Sequence, residues 1–247
     1  MTTDLAKARE SILGTIPPAG GPDWLRTLRE GAFAHFKTQG FPTPKNERWK
    51  YTDLSLYWPN ELPGAGKPAQ AAPLARLKAQ GFDVEKGHWL VFIDGIHSPG
   101  QSSAHPLPAG LRAGAMASML EDPSVRETLG RIAAPESDAL TALNLAAFRD
   151  GAFLQVAAGA QVPGTIHLVF VSTQPAPAFA RNLVLAGDNS RLSLAEHFLG
   201  DAGGPSLFSS VTELKLAPGA QVDHVKIQQG STGQLHFGTV QARQEAG

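Results

Sequence analysis

The chain has 247 residues, of which 42% are hydrophobic, enough to fill the core of one large domain or two modest ones. The 21 basic and 22 acidic residues leave a net charge of −1 with no basic stripe, which argues against a nucleic-acid partner. No apolar run is long enough to span a membrane, no signal peptide opens the chain, and the absence of cysteine excludes a thiolate nucleophile, so we expect a cytoplasmic protein with no membrane partner.

The first part of the chain predicts helices. Pro22 suits a helix start and Gly40 a helix stop, and between them apolar residues recur at helical spacing: Trp24, Leu25, Leu28, Ala32 and Phe36. We predict a helical N-terminal region over residues 1–58. A Pro/Gly-rich linker over 59–87 follows, because "PNELPGAGKPAQAAP" contains four Pro and two Gly.

The stretch "NERWKYTDLS" (residues 46–55) concentrates aromatic and charged side chains, namely Glu47, Trp49, Lys50, Tyr51 and Asp53. We interpret it as a structural or interaction motif. Trp49 and Tyr51 are predicted to pack on the N-terminal helix, with partner contact as the alternative, since Trp, Tyr and Arg dominate binding hot spots.

Residues 88–150 predict a mixed segment of strands and helices. "HWLVFIDG" is a short apolar run that ends in Asp94-Gly95, which is typical of a strand followed by a turn. "GAMASMLED", "PSVRETLGRI" and "SDALTALNLAAF" predict helices, the last one opened by Ser137 or Asp138.

Residues 151–247 contain an internal repeat. "LQVAAGAQV" and "LKLAPGAQV" match at six of nine positions, and the turn glycines Gly159, Gly187 and Gly219 lie 28 and 32 residues apart. Pro218-Gly219 suits the centre of a type II turn. A repeat of strands without helices favours a parallel β-helix, although a propeller or a sandwich stays possible.

Strand alternation places Leu214 and Leu216 on one face, and Glu213 and Lys215 on the other. Gly247 lies 28 residues after Gly219, in register with the next turn. We therefore expect a truncated core, or a partner over the open edge of the β-helix, where self-association could also occur.

Histidines are the main candidates for reactive groups. His197 follows Glu196, and His224 follows Asp223, but adjacent strand residues point to opposite faces, and His224 alternates with Lys226 on what the pattern predicts to be the solvated face. His197 and His224 are therefore weak metal candidates. Asp94, His97 and Ser98 lack a nucleophile-elbow motif, so we assign no catalytic residue, and no phosphate-binding glycine loop is present.

Several segments, in order, resemble the SufB/SufD family of the SUF iron–sulfur cluster assembly system. They are "PTPKNERWKYTDL", "ALNLAAFRDGAFLQVAAGAQV", "RNLVLAGDNSRLSLAEHFLG" and "VTELKLAPGAQVDHVKIQ". The lack of cysteine makes the chain more similar to the SufD branch than to SufB, whose role in cluster building involves cysteine.

The resemblance implies a mainly β, mixed α+β protein, with a helical N-terminal region and a right-handed parallel β-helix that is incomplete at its C-terminus. It also implies a non-catalytic scaffold subunit that supports cluster assembly and iron acquisition by binding a SufB-like paralogue and a SufC-like ATPase. We expect no cofactor on this chain itself, with the iron–sulfur cluster and flavin present only at the level of the complex. Family members continue beyond position 247, through a helical segment that docks SufC and a functional His, so neither is assigned here.

Two enzyme classes remain as alternatives. A β-helix enzyme acting on polysaccharide would use clustered carboxylates, for which the repeats offer only the scattered Glu196, Glu213 and Asp223. An acyltransferase on a left-handed β-helix would need uninterrupted apolar hexads, which the sequence lacks.

Overall fold

The computed structural model describes residues 3–59, 62, 71–200 and 203–246. The helices are α1 (Leu5–Thr15), α2 (Asp23–Gln39), α3 (Pro73–Ala79), α4 (Pro123–Thr128) and α5 (Ala139–Ala147). The strands are β1 (His88–Ile93), β2 (Ile96–His97), β3 (Leu111–Ala115), β4 (Ala152–Val156), β5 (Gln161–Ser172), β6 (Pro177–Ala186), β7 (Arg191–Gly200), β8 (Ser206–Leu216), β9 (Gln221–Gln229) and β10 (Gln234–Gln244).

From β4 onward the chain winds as a parallel β-solenoid of about three coils. Successive strands alternate between two facing sheets, one in the order β2-β1-β5-β7-β9 and the other in the order β10-β8-β6-β4-β3. All pairings between coils are parallel, and only β2 and β3 pair antiparallel to their neighbours. The predicted mixed α+β fold with a parallel solenoid is confirmed, while its right-handed winding stays a prediction.

The coil repeat differs from the one read off the glycines. The turns begin at Ala157, Gly187 and Ala217, so the spacing is 30 residues, the offset that also pairs β4 with β6 and β6 with β8. The positive-φ position in the middle turn is Asn189 (φ 53°), so Gly187 is not the equivalent of Gly159 and Gly219. The predicted alignment of the three turns by their glycines is therefore wrong by two residues in the middle turn, because Asn also tolerates the left-handed conformation.

Gly187 has a different physical role. A Cβ at this position would lie 2.7 Å from the backbone N of Ala158 in the preceding coil. The turn glycines Gly159 and Gly219 do have positive φ (72° and 71°), and Ala220 N donates to Ala217 O as the predicted type II turn requires.

The space between the two sheets is filled mainly by apolar side chains that alternate along each strand. Phe92, Phe170 and Phe198 stack on one another in a column, with successive ring centroids 5.1 Å apart. The column links three neighbouring strands of one sheet, so its packing holds the coils together.

Helices cover part of each outer face of the solenoid. The helical region packs on the sheet that contains β6 and β8, with every residue of α5 from Leu140 to Ala147 buried. Helix α3 packs on the other sheet through Leu77. Glu213, predicted on a face opposite the core leucines, does lie on the outer face, but that face is covered and Glu213 is fully buried.

The local predictions in the first half hold where periodicity is strong. Helix α2 and its Gly40 cap (φ 68°) are as predicted, and Asp138 caps α5 by accepting from Leu140 N and Thr141 N. Helix α1 lies within the predicted helical region over residues 1–58. Two predictions were wrong: α3 lies inside the predicted 59–87 linker, and "GAMASMLED" starts within β3 rather than in a helix. Most of residues 59–73 lie outside the described part of the chain.

Candidate functional site

A group of interacting polar side chains lies inside the solenoid, on strands β7, β8, β9 and β10. Leu192, Leu194 and Phe198 of β7 face the interior, so Glu196 at the same period faces it too. The same alternation brings in side chains from β8, β9 and β10. We call the following set the interior cluster: Glu196, Ser210, Thr212, His224, Lys226 and His236.

Glu196 is the centre of the interior cluster. Its Oε1 accepts hydrogen bonds from Thr212 Oγ1 at 2.6 Å and His224 Nε2 at 3.1 Å, and its Oε2 lies 3.5 Å from Lys226 Nζ. Asn182 Nδ2 donates to Thr212 Oγ1 at 3.1 Å. A fully buried carboxylate is thus held by partners from two strands, β8 and β9, and Asn182 of β6 supports one of those partners.

Lys226 extends the network toward β10. Its Nζ donates to Ser210 Oγ at 3.2 Å and lies 4.9 Å from the centre of the Phe198 ring. His236 Nε2 lies 3.4 Å from the same Ser210 Oγ. One ammonium therefore balances the single carboxylate of the cluster.

The electrostatics of the cluster keep Glu196 ionised. Burial opposes ionisation, but the hydrogen bond from His224 and the nearby Lys226 outweigh it and lower the pKa of Glu196. Burial, with a further contribution from Lys226, lowers the pKa of His236 to about 4. The cluster combines fixed opposite charges with the neutral imidazole of His236, which lies beside the Ser210 hydroxyl.

The two predicted metal candidates lie in different places. His224 was expected on the solvated face but points inward, and its partner is Glu196 rather than its sequence neighbour Asp223. His197 lies on the outer face of the same sheet. No group of three or more His, Asp or Glu able to hold a metal ion occurs among the described residues.

His197 belongs to an outer-face aromatic cluster. Its Nε2 lies 3.0 Å from His167 Nδ1, and the His167 ring stacks on Trp89 with centroids 3.8 Å apart. Phe82 meets the His197 ring edge-on at 5.0 Å. Burial lowers the pKa of both histidines to about 4.

Lowering the pH is expected to destabilise the protein already at pH values well above those at which carboxylates bind protons. In the unfolded chain His167, His197 and His236 bind protons near pH 6.5, but in the folded protein only near pH 4, so stability falls as the pH drops from about 6.5 toward 4. Thermal unfolding followed by circular dichroism between pH 7.5 and 5 measures this.

The matched variants are His197→Gln, which should flatten the pH dependence, and His105→Gln at an exposed position, which should leave it unchanged. A midpoint that does not move between pH 7.5 and 5 would contradict the assignment of neutral buried imidazoles.

Some side chains of the motif at residues 46–55 pack against the protein, and others lie on its surface. Trp49 is half-buried and lies 6.2 Å from the Phe237 ring of β10, whereas Tyr51 is 92% exposed, so the prediction that Tyr51 packs on the helix was wrong. Asp53 accepts from Ser55 N and starts a short 3₁₀ turn, and Glu47 begins another. Lys50 Nζ lies over the exposed Tyr51 ring at 5.5 Å.

Replacing Trp49 by Ala should lower the free energy of unfolding by about 2 kcal/mol, less than for a fully buried Trp because part of its surface stays in water. Tyr51→Ala is the matched control and should cost less than about 0.5 kcal/mol. Urea denaturation of both variants gives the comparison. Equal effects would contradict the anchor interpretation of Trp49.

The side chains considered for hydrolysis do not form a catalytic arrangement. His97 Nε2 lies 3.1 Å from Ser102 Oγ rather than Ser98, and Ser102 Oγ donates to Ser98 O. Asp94 is bound by Thr173 and Gln174. Two of the carboxylates considered for a polysaccharide enzyme, Glu196 and Glu213, are fully buried and already hydrogen-bonded to other side chains.

Fold and site define the protein as a mixed α+β protein, a parallel β-solenoid with helices packed on both sheets and a charged cluster inside. Residues 18–168 match the family described as SufBD protein N-terminal region, and residues 169–247 match the SUF system FeS cluster assembly, SufBD core domain. The chain belongs to the SufBD family.

A curated relative is the iron-sulfur cluster assembly SufBD family protein of Synechocystis sp.. It is 26% identical to this chain over 254 residues, which cover 96% of this chain and 55% of the relative. The chain spans about half the length of that relative. Among the described residues, no helix is long and apolar enough to cross a membrane.

Proposed function

We propose that this chain serves as a SufD-like, non-catalytic scaffold in iron–sulfur cluster assembly in the cytoplasm. It supports assembly and iron acquisition by binding a SufB-like paralogue and a SufC-like ATPase. The observation that carries the proposal is the match of two successive SufBD family regions over residues 18–247, on a chain that folds as a parallel solenoid.

The chemistry of the chain supports a scaffold role over a cluster-building one. The chain has no cysteine, so it offers no thiolate to hold sulfide or iron. The charged residues of the interior cluster bind one another. The iron–sulfur cluster and any flavin then belong to the assembled complex rather than to this chain alone.

Edge strands offer a physical basis for partner binding. β9 pairs only with β7, and β10 only with β8, among the described strands, so within this part of the chain each has one row of backbone groups without a strand partner. The same edges could support self-association.

The test is co-purification of this chain, and of a form extended to the length of the Synechocystis relative, with SufB-like and SufC-like proteins. We expect the extended form to bind both partners, and size-exclusion chromatography of the chain alone to report self-association. Failure of the extended form to bind either partner would overturn the scaffold proposal. Hydrolysis of a pectin-like polymer by the chain would favour the enzyme alternative instead.

A further inference from the structure

A cavity of about 650 Å³ lies between the helical region and the solenoid and shares no residue with the interior cluster. Its volume is within the range of small-molecule sites in proteins. It is bounded by the segment after α1, the β1–β2 hairpin, the residues that follow α5 and the start of β6. Apolar walls come from Pro17, Ile93, Ile96, Ala176, Pro177 and Phe179.

Asp94, at the tip of the β1–β2 hairpin, gives this cavity an acidic wall. Its Oδ1 accepts from Thr173 N at 2.7 Å, and its Oδ2 accepts from Thr173 Oγ1 at 2.6 Å and Gln174 Nε2 at 2.9 Å. All three donors are neutral, and among the described residues none of the ion pairs includes Asp94. A carboxylate accepts about four hydrogen bonds, so one position and the full charge remain for a ligand.

The hairpin that carries Asp94 is held in place. Asp94 N donates to Val171 O at 2.8 Å, and Asp94 and Gly95 both have positive φ (49° and 78°). A Cβ on Gly95 would lie 2.8 Å from Phe179 O, so the hairpin touches the backbone of β6. The acid is therefore positioned before any ligand arrives, which lowers the entropy cost of binding.

Arg149 gives the same cavity a basic wall. It is exposed, and its guanidinium makes no ion pair or hydrogen bond with the described residues. Guanidinium groups bind carboxylates through two parallel hydrogen bonds. The cavity thus combines one unpaired anion, one unpaired cation and an apolar surface.

We propose that this cavity binds a zwitterionic α-amino acid with a large apolar side chain. Asp94 receives the ammonium group, Arg149 receives the carboxylate, and the side chain packs against Ile93, Pro177 and Phe179. Opposite charges on one small molecule match the two unpaired groups, whereas a simple anion would face Asp94 and a simple cation would face Arg149. This site is independent of the proposed scaffold role.

The test is calorimetric titration of the chain with L-phenylalanine, L-phenylalaninamide and N-acetyl-L-phenylalanine. Each analogue loses one charge-assisted contact, so L-phenylalanine should bind about tenfold or more tightly than either. Absence of saturable binding of L-phenylalanine at millimolar concentration would overturn the proposal. Tighter binding of either singly charged analogue would also overturn it.

Variants connect each contact with its residue. Arg149→Gln should remove the difference between L-phenylalanine and its amide, and thermal unfolding should show that the fold is kept, because the exposed Arg149 guanidinium makes no hydrogen bond or ion pair with the described residues. Asp94→Asn should remove the difference between L-phenylalanine and its N-acetyl form. Arg126→Gln, at another exposed arginine, is the matched control and should change neither affinity. An unchanged preference in Arg149→Gln would refute the site.

Discussion

Glu213→Gln is expected to lower the free energy of unfolding by about 3–5 kcal/mol, because it removes one partner of a buried ion pair and leaves the other charge uncompensated. Both Glu213 and Arg181 have fully buried side chains, and Arg181 Nε donates to Glu213 Oε1 at 2.8 Å. The pair lies between β6, β8 and the loop that follows α4.

The carboxylate also organises that loop. Gly130 N donates to Glu213 Oε1 at 2.8 Å, while the backbone N–H groups of Ile132 and Ala133 donate to Oε2 at 3.0 and 3.1 Å. Arg181 Nη2 returns a hydrogen bond to Ala133 O at 2.6 Å. Glu213 therefore joins the helical region to the solenoid. Without its carboxylate, the two parts should unfold in separate transitions.

Chemical denaturation of four variants, including Glu213→Gln itself, tests this. Arg181→Met alone should cost as much as Glu213→Gln, and the double variant Arg181→Met/Glu213→Leu should cost less than the sum, because no unpaired charge stays buried. Glu85→Gln removes one partner of the exposed Lys78–Glu85 pair and should cost less than about 1 kcal/mol. If Glu213→Gln costs no more than Glu85→Gln, the buried pair is not what holds the loop.

Phe170→Ala is expected to lower the free energy of unfolding by about 3–5 kcal/mol. Phe170 is buried and lies in the middle of the ring column, between Phe92 of β1 and Phe198 of β7. Removing the ring opens a cavity between rigid parallel strands that cannot close it, and it removes the ring contacts with Phe92, Phe198 and Phe208.

Phe170→Leu keeps most of the volume and should cost about 1–1.5 kcal/mol, and Tyr57→Ala at a largely exposed position should cost less than about 0.5 kcal/mol. Urea denaturation of the three variants gives the order. A cost for Phe170→Ala as small as that of Tyr57→Ala would show that the column does not support the solenoid.

Local features of the fold were predictable because nearby residues encode them. Helix α2 follows from helical spacing between Pro22 and Gly40, and the third turn follows from Pro218-Gly219. Helix α3 was hidden because Pro73, which begins it, closes a stretch that reads as a linker. The Asn189 turn was misaligned because glycine alone was used as the marker of positive φ.

The candidate site was less accessible to prediction. Sequence order paired Glu196 with His197 and Asp223 with His224, but the coil brings Glu196 to His224, 28 positions away. A signal was present in the repeat, since two polar residues two apart, His224 and Lys226, continue the inward alternation that starts at Val222. The polarity of His224 and Lys226 predicts a solvated face, whereas the strand alternation correctly places both side chains inside the solenoid.

The sequence by itself determined helix α2 and the chemistry of the Pro218-Gly219 turn, because spacing and turn residues act over a few neighbouring positions, and it carried the SufBD resemblance. It favoured parallel coils but left a propeller or a sandwich open, and the strand pairing decided for the parallel solenoid. Only the tertiary structure decided which face of each strand is covered and what meets it there. Arg181 meets Glu213 across two coils, and Trp49 meets Phe237 across most of the chain. Such contacts depend on how separate elements stack, and a polar residue inside a solenoid has the same local pattern as one in water.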